Sequence, residues 1–426
     1  MEPIELAIDP SFTLQALSYL ALGICMGTCS GLIPGLHANN FALFLASMAP
    51  LLPGSPLLVG IAMLAAGVVH TYLDIVPTLA IGVPDADMAV AALPGHKLVL
   101  EGRGFEALRL SAMGSALAVA LAVPLAIPIT LLMIRYYPIL QAHMAIVLGA
   151  VALMMIATEP SWRHMIGGVI AFFVSGTLGF LVLDMDPASP LDGGGVLAPI
   201  FGGLFGAPVI IDALQGGGVP PQGDRWIRVP PKRVAFPASA GSATGALVGY
   251  LPGVSSAIAA VVALLAIPGD GGNRAFVVAT SGVNTANTVF AIFALVALGA
   301  PRTGVLVAVE DAGVPLNLPV MLASVAIAAA VGFTLVILIG DWYLVTVGGM
   351  DYTVVCGLVM TKLVVLSFLF AGWVGVVIFV ASTLIGYIPV KFGAKRVHLM
   401  SIYNVLIRRC QATGLNTQPR PTIATR

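Results

Sequence analysis

Charge is what this sequence has least of. Only 9% of its 426 residues are Asp, Glu, Lys or Arg, against about 25% in an ordinary soluble domain, too few to keep a chain of this hydropathy in water. The charges that exist cancel, 19 basic against 19 acidic for a net of +0, so the basic excess that a nucleic-acid partner requires is missing. Cysteine is as scarce. Cys25, Cys29, Cys356 and Cys410 are the full set, too few and too deep in apolar stretches for a disulfide framework. Cys25 and Cys29 share a helix face without a third ligand nearby, and are expected to be small apolar packing thiols. There is no HExxH and no GxSxG, which removes metalloprotease and serine-hydrolase chemistry. The expectation is a protein that is not an enzyme and needs neither cofactor nor metal. The first ten residues, with Glu2, Glu5 and Asp9, lack the basic region and cleavage site of a signal peptide. No soluble domain is expected, since the longest polar stretch is residues 212–237.

What fills the chain instead is hydrocarbon: 59% of residues are hydrophobic, and the mean hydropathy is +1.03. Runs of about 20 apolar residues, enough to cross a hydrocarbon core of about 30 Å, recur from end to end. They can be drawn at 12–33, 39–52, 57–83, 108–133, 139–157, 164–183, 194–211, 238–251, 254–267, 275–299, 318–340, 353–370 and 371–390. Those at 39–52, 194–211 and 254–267 are too short and read as re-entrant or half-helices. The runs are apolar all round, which argues against a barrel. The fold class expected is therefore an all-α polytopic membrane protein with about ten transmembrane helices. Its tail from Lys391 carries Lys395, Arg396, Arg408, Arg409, Arg420 and Arg426 without an acid, so the positive-inside bias places the C-terminus in the cytoplasm of a multi-pass plasma-membrane protein.

The sequence repeats itself. GICMGTCSGLIPG at 23–35 and GSATGALVGYLPG at 241–253 share the pattern GxxxGxxxGxxPG, and IGVP at 81–84 answers LGAP at 298–301 at almost the same separation. Two landmarks in one register point to a duplication. The expected units are a first membrane repeat at 12–183, a connecting segment with a re-entrant hairpin at 184–235, a second repeat at 236–390 and a basic tail at 391–426. Five crossings separate the two glycine rows on this reading, an odd number, so the repeats should have inverted topology. Inverted repeats with interrupted helices in matching places are the pattern of secondary transporters.

The glycine rows suit close helix packing, whereas each Pro-Gly pair interrupts a helix where hydrocarbon tolerates bare backbone only if protein or a wet cavity covers it. Gly31, Pro34, Gly35, His37, Asn39 and Asn40 in the first copy, and Pro252, Gly253, Ser255 and Ser256 in the second, are therefore candidates for binding substrate. Freed N–H groups at the following helix starts favour an anion. Ser255 and Ser256 read as turn and helix-start residues rather than nucleophiles. A second polar group, His70, Thr71, Tyr72 and Asp74, lies in the span at 57–83, and its repeat counterpart is SGVNTANTVF with Asn284, Thr285, Asn287 and Thr288. Ionisable side chains inside a membrane mark ion or substrate paths by default. Asn284 and Thr285 are assigned to substrate, and His70, Asp74, Asn287 and Thr288 to a coupling sodium ion or proton. The plainer alternative is that His70 and Asp74, one turn apart, simply pair. In the stretch 82–115, Asp85, Asp87, His96, Lys97, Glu101, Arg103, Glu106 and Arg109 read as a solvated connection. Arg302, standing where the first half has Asp85, either attracts an anion or lies at the membrane surface. No fixed cation is expected deep in the membrane.

These residues resemble the large permease subunit of the tripartite tricarboxylate transporters, the TctA family. The likeness is carried by GxxPGL at 31–36, by Gly82, Pro84 and Asp85, by EGRGFEALRLSAMGS at 101–115, by GALVGYLPG at 245–253 and by LGAP at 298–301. It departs where the family has GLGP and this chain has Gly35, Leu36, His37 and Ala38, and where SGVNTANT replaces an acidic segment, which suggests a divergent, archaeal-type branch. The resemblance implies import of a di- or tricarboxylate on a sodium or proton gradient, with a small membrane subunit and an extracytoplasmic binding protein as partners. Besides the anionic substrate and the bilayer, a homo-oligomer is compatible with the sequence. The competing reading is a translocase of a lipid-linked phosphate such as polyprenyl phosphate, since paired helix starts with glycine turns suit a phosphate equally well.

Overall fold

The computed structural model describes residues 9–33, 38–82, 92–185, 187–190, 195–214, 220–223, 225–226, 229–251, 254, 256–267 and 272–400. All regular structure among them is helical. In order the helices are α1 (Pro10–Leu32), α2 (Ala38–Met48), α3 (Pro56–Leu73), α4 (Ile75–Ile81), α5 (Ala92–Leu100), α6 (Gly104–Ala142), α7 (Met144–Ala157), α8 (Trp162–Val182), α9 (Leu197–Phe201), α10 (Ala207–Ala213), α11 (Lys232–Tyr250), α12 (Ser256–Ala266), α13 (Gly272–Leu298), α14 (Gly304–Asp311), α15 (Leu318–Gly348) and α16 (Tyr352–Phe392). A π-helical turn, Gly202–Gly206, joins α9 to α10.

Seven stretches are long and apolar enough to cross a bilayer: Pro10–Leu32, Pro56–Ile81, Gly104–Ala142, Trp162–Val182, Gly272–Leu298, Leu318–Thr346 and Cys356–Phe392. The last is two arms rather than one rod. Ala371 and Gly372 leave helical geometry, Gly372 with φ 57°, which a side chain would resist. A Cβ on Gly375 would run into the carbonyl of Ser367, so the arms 352–370 and 373–392 fold back on each other, at the boundary the hydropathy placed between two spans. The π turn and α10 continue beside the second arm: the Gly195 N–H donates to Phe370 O, Gly203 lies against Phe379 and Ser382, and Gly386 against Leu204 and Pro208. The contact numbers rise together, so 197–213 runs in one direction. The hairpin expected in the connecting segment is not found among its described residues. Small residues at 202, 203 and 206 let the stretch lie flush along a neighbour instead of doubling back.

The most buried spans are Pro56–Ile81 and Gly272–Leu298, at 78% and 72%, against 22–39% for the other five. These two form the centre, and the glycine rows explain how. On α1, Gly23, Gly27 and Gly31 lie against Ala62, Ala66 and Leu73 of α3; on α11, Gly241, Gly245 and Gly249 lie against Ala279, Val283 and Phe290 of α13. Most of these approaches are to backbone atoms, so a methyl group would already collide. The partners Ala62, Ala66 and Leu73 are spaced along α3 as Ala279, Val283 and Phe290 are along α13, and α2 and α12, each 11 residues long, follow the two interruptions in matching places. The same packing is made twice. Tyr19 Oη donates to Pro53 O at 2.6 Å, which brings the chain after α2 back beside α1.

The long helices then cross over. Helix α6 runs along α13, with Gly114 against Val278 and Gly282 against Ala118, while α15 lies on α3 through Gly332 against Tyr72. At the start of α6, Glu106 accepts from Arg103 and from Arg274 of α13 at 2.8 Å. Arg109 grips Asp341 of α15 with two bonds of 2.8 and 2.9 Å. Cys25 and Cys29 are exposed on the outer face of α1 and do not pack in the core as expected, because the glycine row occupies the inner face of that helix.

The C-terminal segment closes the far side. Glu159, between α7 and α8, is buried and accepts from His398 Nε2 at 2.7 Å and from the Lys395 N–H at 3.0 Å. Lys395 Nζ donates to Thr158 O at 3.1 Å, and Gly168 leaves room for the His398 ring.

Candidate functional site

The site is set by a flaw in the central span. Pro77 has no N–H for the carbonyl of Leu73 and crowds that turn, and the helix breaks at Asp74 between α3 and α4. The backbone of Asp74 is still satisfied: its N–H donates to His70 O at 2.9 Å, and its carbonyl accepts from Thr78 Oγ1 at 2.7 Å. Its side chain, 3% exposed, accepts from Asn284 Nδ2 of α13 at 2.7 Å. A carboxylate in a membrane interior is thus held by a neutral amide from the opposite half of the chain.

His70, also 3% exposed, has Nδ1 at 3.0 Å from Ser30 Oγ of α1, which donates in turn to Gly27 O at 3.1 Å. Gly31 matters here by absence: it brings α1 close enough for Ser30 to reach the imidazole. Asn287 is 9% exposed, and its Oδ1 has no partner among the described residues. Ser256, the first residue of α12, is 1% exposed, and its hydroxyl is likewise without a described partner. Thr288 is half-buried on α13. Asn39 is half-buried and packs against Gly304 at the start of α14.

Pro34, Gly35, His37, Pro252, Gly253 and Ser255 lie outside the described residues, as do Asp85 and Asp87, and the side chain of Asn40 is not described. Thr285 turns away from Asp74: it donates to Ser115 Oγ of α6 at 2.8 Å. Ser115 also donates to Ser281 O at 3.1 Å, and Ser111 and Ser281 join hydroxyls at 2.8 Å. These four hydroxyls clamp α6 to α13. The numbers along α3 and α13 run in opposite senses. Gly95 of α5 lies between Leu79 and Val277, so moving from there to the Asp74–Asn284 bond descends one helix and climbs the other.

Residues 17–401 match the family model described as the tripartite tricarboxylate transporter TctA family. The chain belongs to the TctA family. It is also 27% identical, over 92% of its length and 97% of the relative's, to an uncharacterized protein, MJ1079, of Methanocaldococcus jannaschii. No solved structure matches it. As a TctA-family chain it is a multi-pass membrane protein of the permease-subunit type, in a family that works with two further subunits.

Sequence reasoning missed several polar groups in this TctA chain. Ser30 looked like part of a glycine row, and its role depends on His70, a neighbour on another helix. Ser111, Ser115 and Ser281 are small residues whose bonds only a packed structure reveals. Lys362 could have been found: it lies well inside the first arm of α16 and is half-buried. The expectation of no fixed cation deep in the membrane is wrong there, because one lysine barely lowers the mean of a Val- and Leu-rich window. Arg302 is half-buried and engages Tyr137 of α6, donating to its hydroxyl and lying 5.1 Å from its ring centre.

Proposed function

We propose that this chain is the large membrane subunit of an importer of small organic anions, di- or tricarboxylates, driven by a sodium or proton gradient. It works by alternating access between two inverted repeats. The observation that carries this reading is the buried Asp74 carboxylate of α3 bonded to Asn284 of α13, at the place where the two central helices meet. An acidic side chain there has no packing role that an amide could not fill, and intramembrane acids mark coupling sites. Inversion is supported by the opposite senses of α3 and α13, each accompanied in parallel by its own glycine-row helix. The substrate's carboxylates are assigned to the starts of α2 and α12, with Gly31, Pro34, Gly35, His37, Asn39 and Asn40 as candidates in the first half and Pro252, Gly253, Ser255 and Ser256 in the second. The unpartnered hydroxyl of Ser256 suits an anion acceptor. His70, Asp74, Asn287 and Thr288 handle the coupling ion, Asn287 Oδ1 being a spare oxygen ligand. The basic tail puts the C-terminus in the cytoplasm. A small membrane subunit and an extracytoplasmic binding protein complete the system, and no catalysis is assigned to it.

The test is uptake of labelled citrate and simple dicarboxylates into proteoliposomes under an imposed sodium or proton gradient, with wild-type protein and Asp74→Asn. Gradient-driven accumulation that the substitution abolishes supports the reading. Uptake of no carboxylate under either gradient, or coupling indifferent to Asp74, overturns it; movement of a polyprenyl phosphate instead would establish the competing lipid reading.

A further inference from the structure

Asn284 does more than satisfy a carboxylate, because the two ends of its bond belong to differently anchored helices. On the α3 side, Asp74 is carried by a helix wedged between the glycine row of α1 and Gly332 of α15. On the α13 side, the neighbouring Thr285 is tied to Ser115, and Ser281 to Ser111, while Gly241 and Gly245 of α11 bed on Ala279 and Val283. Helix α13 is therefore fastened to α6 and α11, and α3 to the glycine row of α1, while α15 touches both sides, α3 through Gly332 and α6 through the Arg109–Asp341 pair. The 2.7 Å bond from Asn284 Nδ2 to Asp74 Oδ2 crosses between these groups.

We propose that Asn284 is the positioning residue that reads the charge of Asp74 across this boundary. An ionised Asp74 holds α13 through a charge-assisted hydrogen bond; a cation arriving at the carboxylate competes for the same oxygen, weakens the bond and lets the two helix groups part. This rests on the assignment of Asp74 to the coupling ion. It adds where the ion's arrival is felt, and by which atom. Hydrogen bonds to charged groups in protein interiors exceed neutral ones by roughly a factor of two in strength, so neutralising Asp74 should be legible as looser packing of both helices even when the amide stays in place.

The experiment is hydrogen–deuterium exchange on the full chain in lipid nanodiscs, followed in peptides covering α3 and α13. Asn284→Ala is expected to raise exchange in both by about tenfold, and Asp74→Asn, a neutral stand-in for the cation-occupied carboxylate, to raise it in the same peptides to a smaller extent. The exchanged pair Asp74→Asn with Asn284→Asp rebuilds an amide–carboxylate bond with the groups swapped and is expected to restore wild-type protection. Global melting of each variant separates loss of the lock from loss of fold. Wild-type exchange in Asp74→Asn, or failure of the exchanged pair to restore protection while the protein remains folded, overturns the proposal. None of these readings needs a substrate, so absence of carboxylate uptake by the wild type would remove the transport reading and leave this result to stand or fall by itself.

Discussion

The clasp on Glu159 gives a test with a magnitude. Its carboxylate accepts two bonds from the C-terminal segment, His398 Nε2 at 2.7 Å and the Lys395 N–H at 3.0 Å, with both side chains of the Glu159–His398 pair 1% exposed. Bonds to an ionised acceptor are worth about 1.5–3 kcal/mol each and neutral ones about 0.5–1.5 kcal/mol. Glu159→Gln keeps the shape and loses the charge, so about 2 kcal/mol of docking free energy should disappear, a change of about 30-fold in the undocked population. Limited trypsinolysis of the purified protein reads that population directly, because cleavage after Lys395 and Arg396 requires the segment to lift away. The pH dependence has a definite sign. Burial holds the His398 imidazole below its ordinary proton affinity, against the Glu159 carboxylate, which raises it. The docked segment then binds fewer protons than the free one. Docking is complete above the ordinary imidazole value of about 6.5 and weakens as pH falls below it. Cleavage, normalised to an unfolded peptide at each pH, should rise from pH 7.5 to about 5.5 and lose that slope in His398→Gln. A Glu159→Gln protein cut at the wild-type rate, or faster cutting as pH rises, would refute the reasoning.

Three further outcomes follow from packing and charge. Gly23→Ala and Gly241→Ala should each lower the thermal midpoint by a similar amount, about 1–3 kcal/mol of overpacking, since a Cβ at either position meets a partner backbone carbonyl; size-exclusion melting curves check this, and a harmless Gly241→Ala would show that the two rows are not equivalent. Asp341→Asn should destabilise by about 1.5–3 kcal/mol by leaving Arg109 without its two-bond partner between α6 and α15, and the exchanged pair Arg109→Asp with Asp341→Arg should recover part of the loss. Lys362→Met keeps the length of the side chain in the first arm of α16 and removes its charge; gradient-driven uptake should fall while the melting midpoint holds, and unchanged uptake would refute a transport role for this lysine.

The parts of the fold that were legible in the sequence are those with a local cause. Hydropathy alone separated 353–370 from 371–390, and the structure turns at Ala371 and Gly372. The repeated glycines also spoke plainly, because closeness of backbones is a property glycine announces at fixed spacing. In 194–211 the short apolar length suggests re-entrance, and the described residues of the segment lie along α16 through Gly203 and Leu204. At the site, Asp74 and Asn284 were both marked, but for different jobs, and only the packing shows that they touch. Thr285, a substrate candidate beside Asn284, points about 100° away from it on the helix and donates to Ser115 of α6. Ser30 and the α6 serines left no signal, since a buried hydroxyl between glycines or alanines reads as one more small residue.

The two halves share a frame, and they do not share its chemistry. With α3 and α13 aligned by their glycine-row partners, Ala62 on Ala279 and Leu73 on Phe290, His70 corresponds to Asn287, Asp74 to Ala291 and Gly67 to Asn284. Both ionisable groups therefore stand on one central helix and the neutral amides on the other. Two identical sites would bind two ions with no reason to respond to each other. In the proposed mechanism a single acid on α3, answered by an amide that α13 supplies from a position where α3 has glycine, makes one ion the shared concern of both halves. The glycine at 67 faces Val305 of α14 at van der Waals distance, and the amide comes from the second half. In the proposed mechanism the repeated packing lets the two sides exchange access, and the difference between the halves at these three positions ties that exchange to one charge.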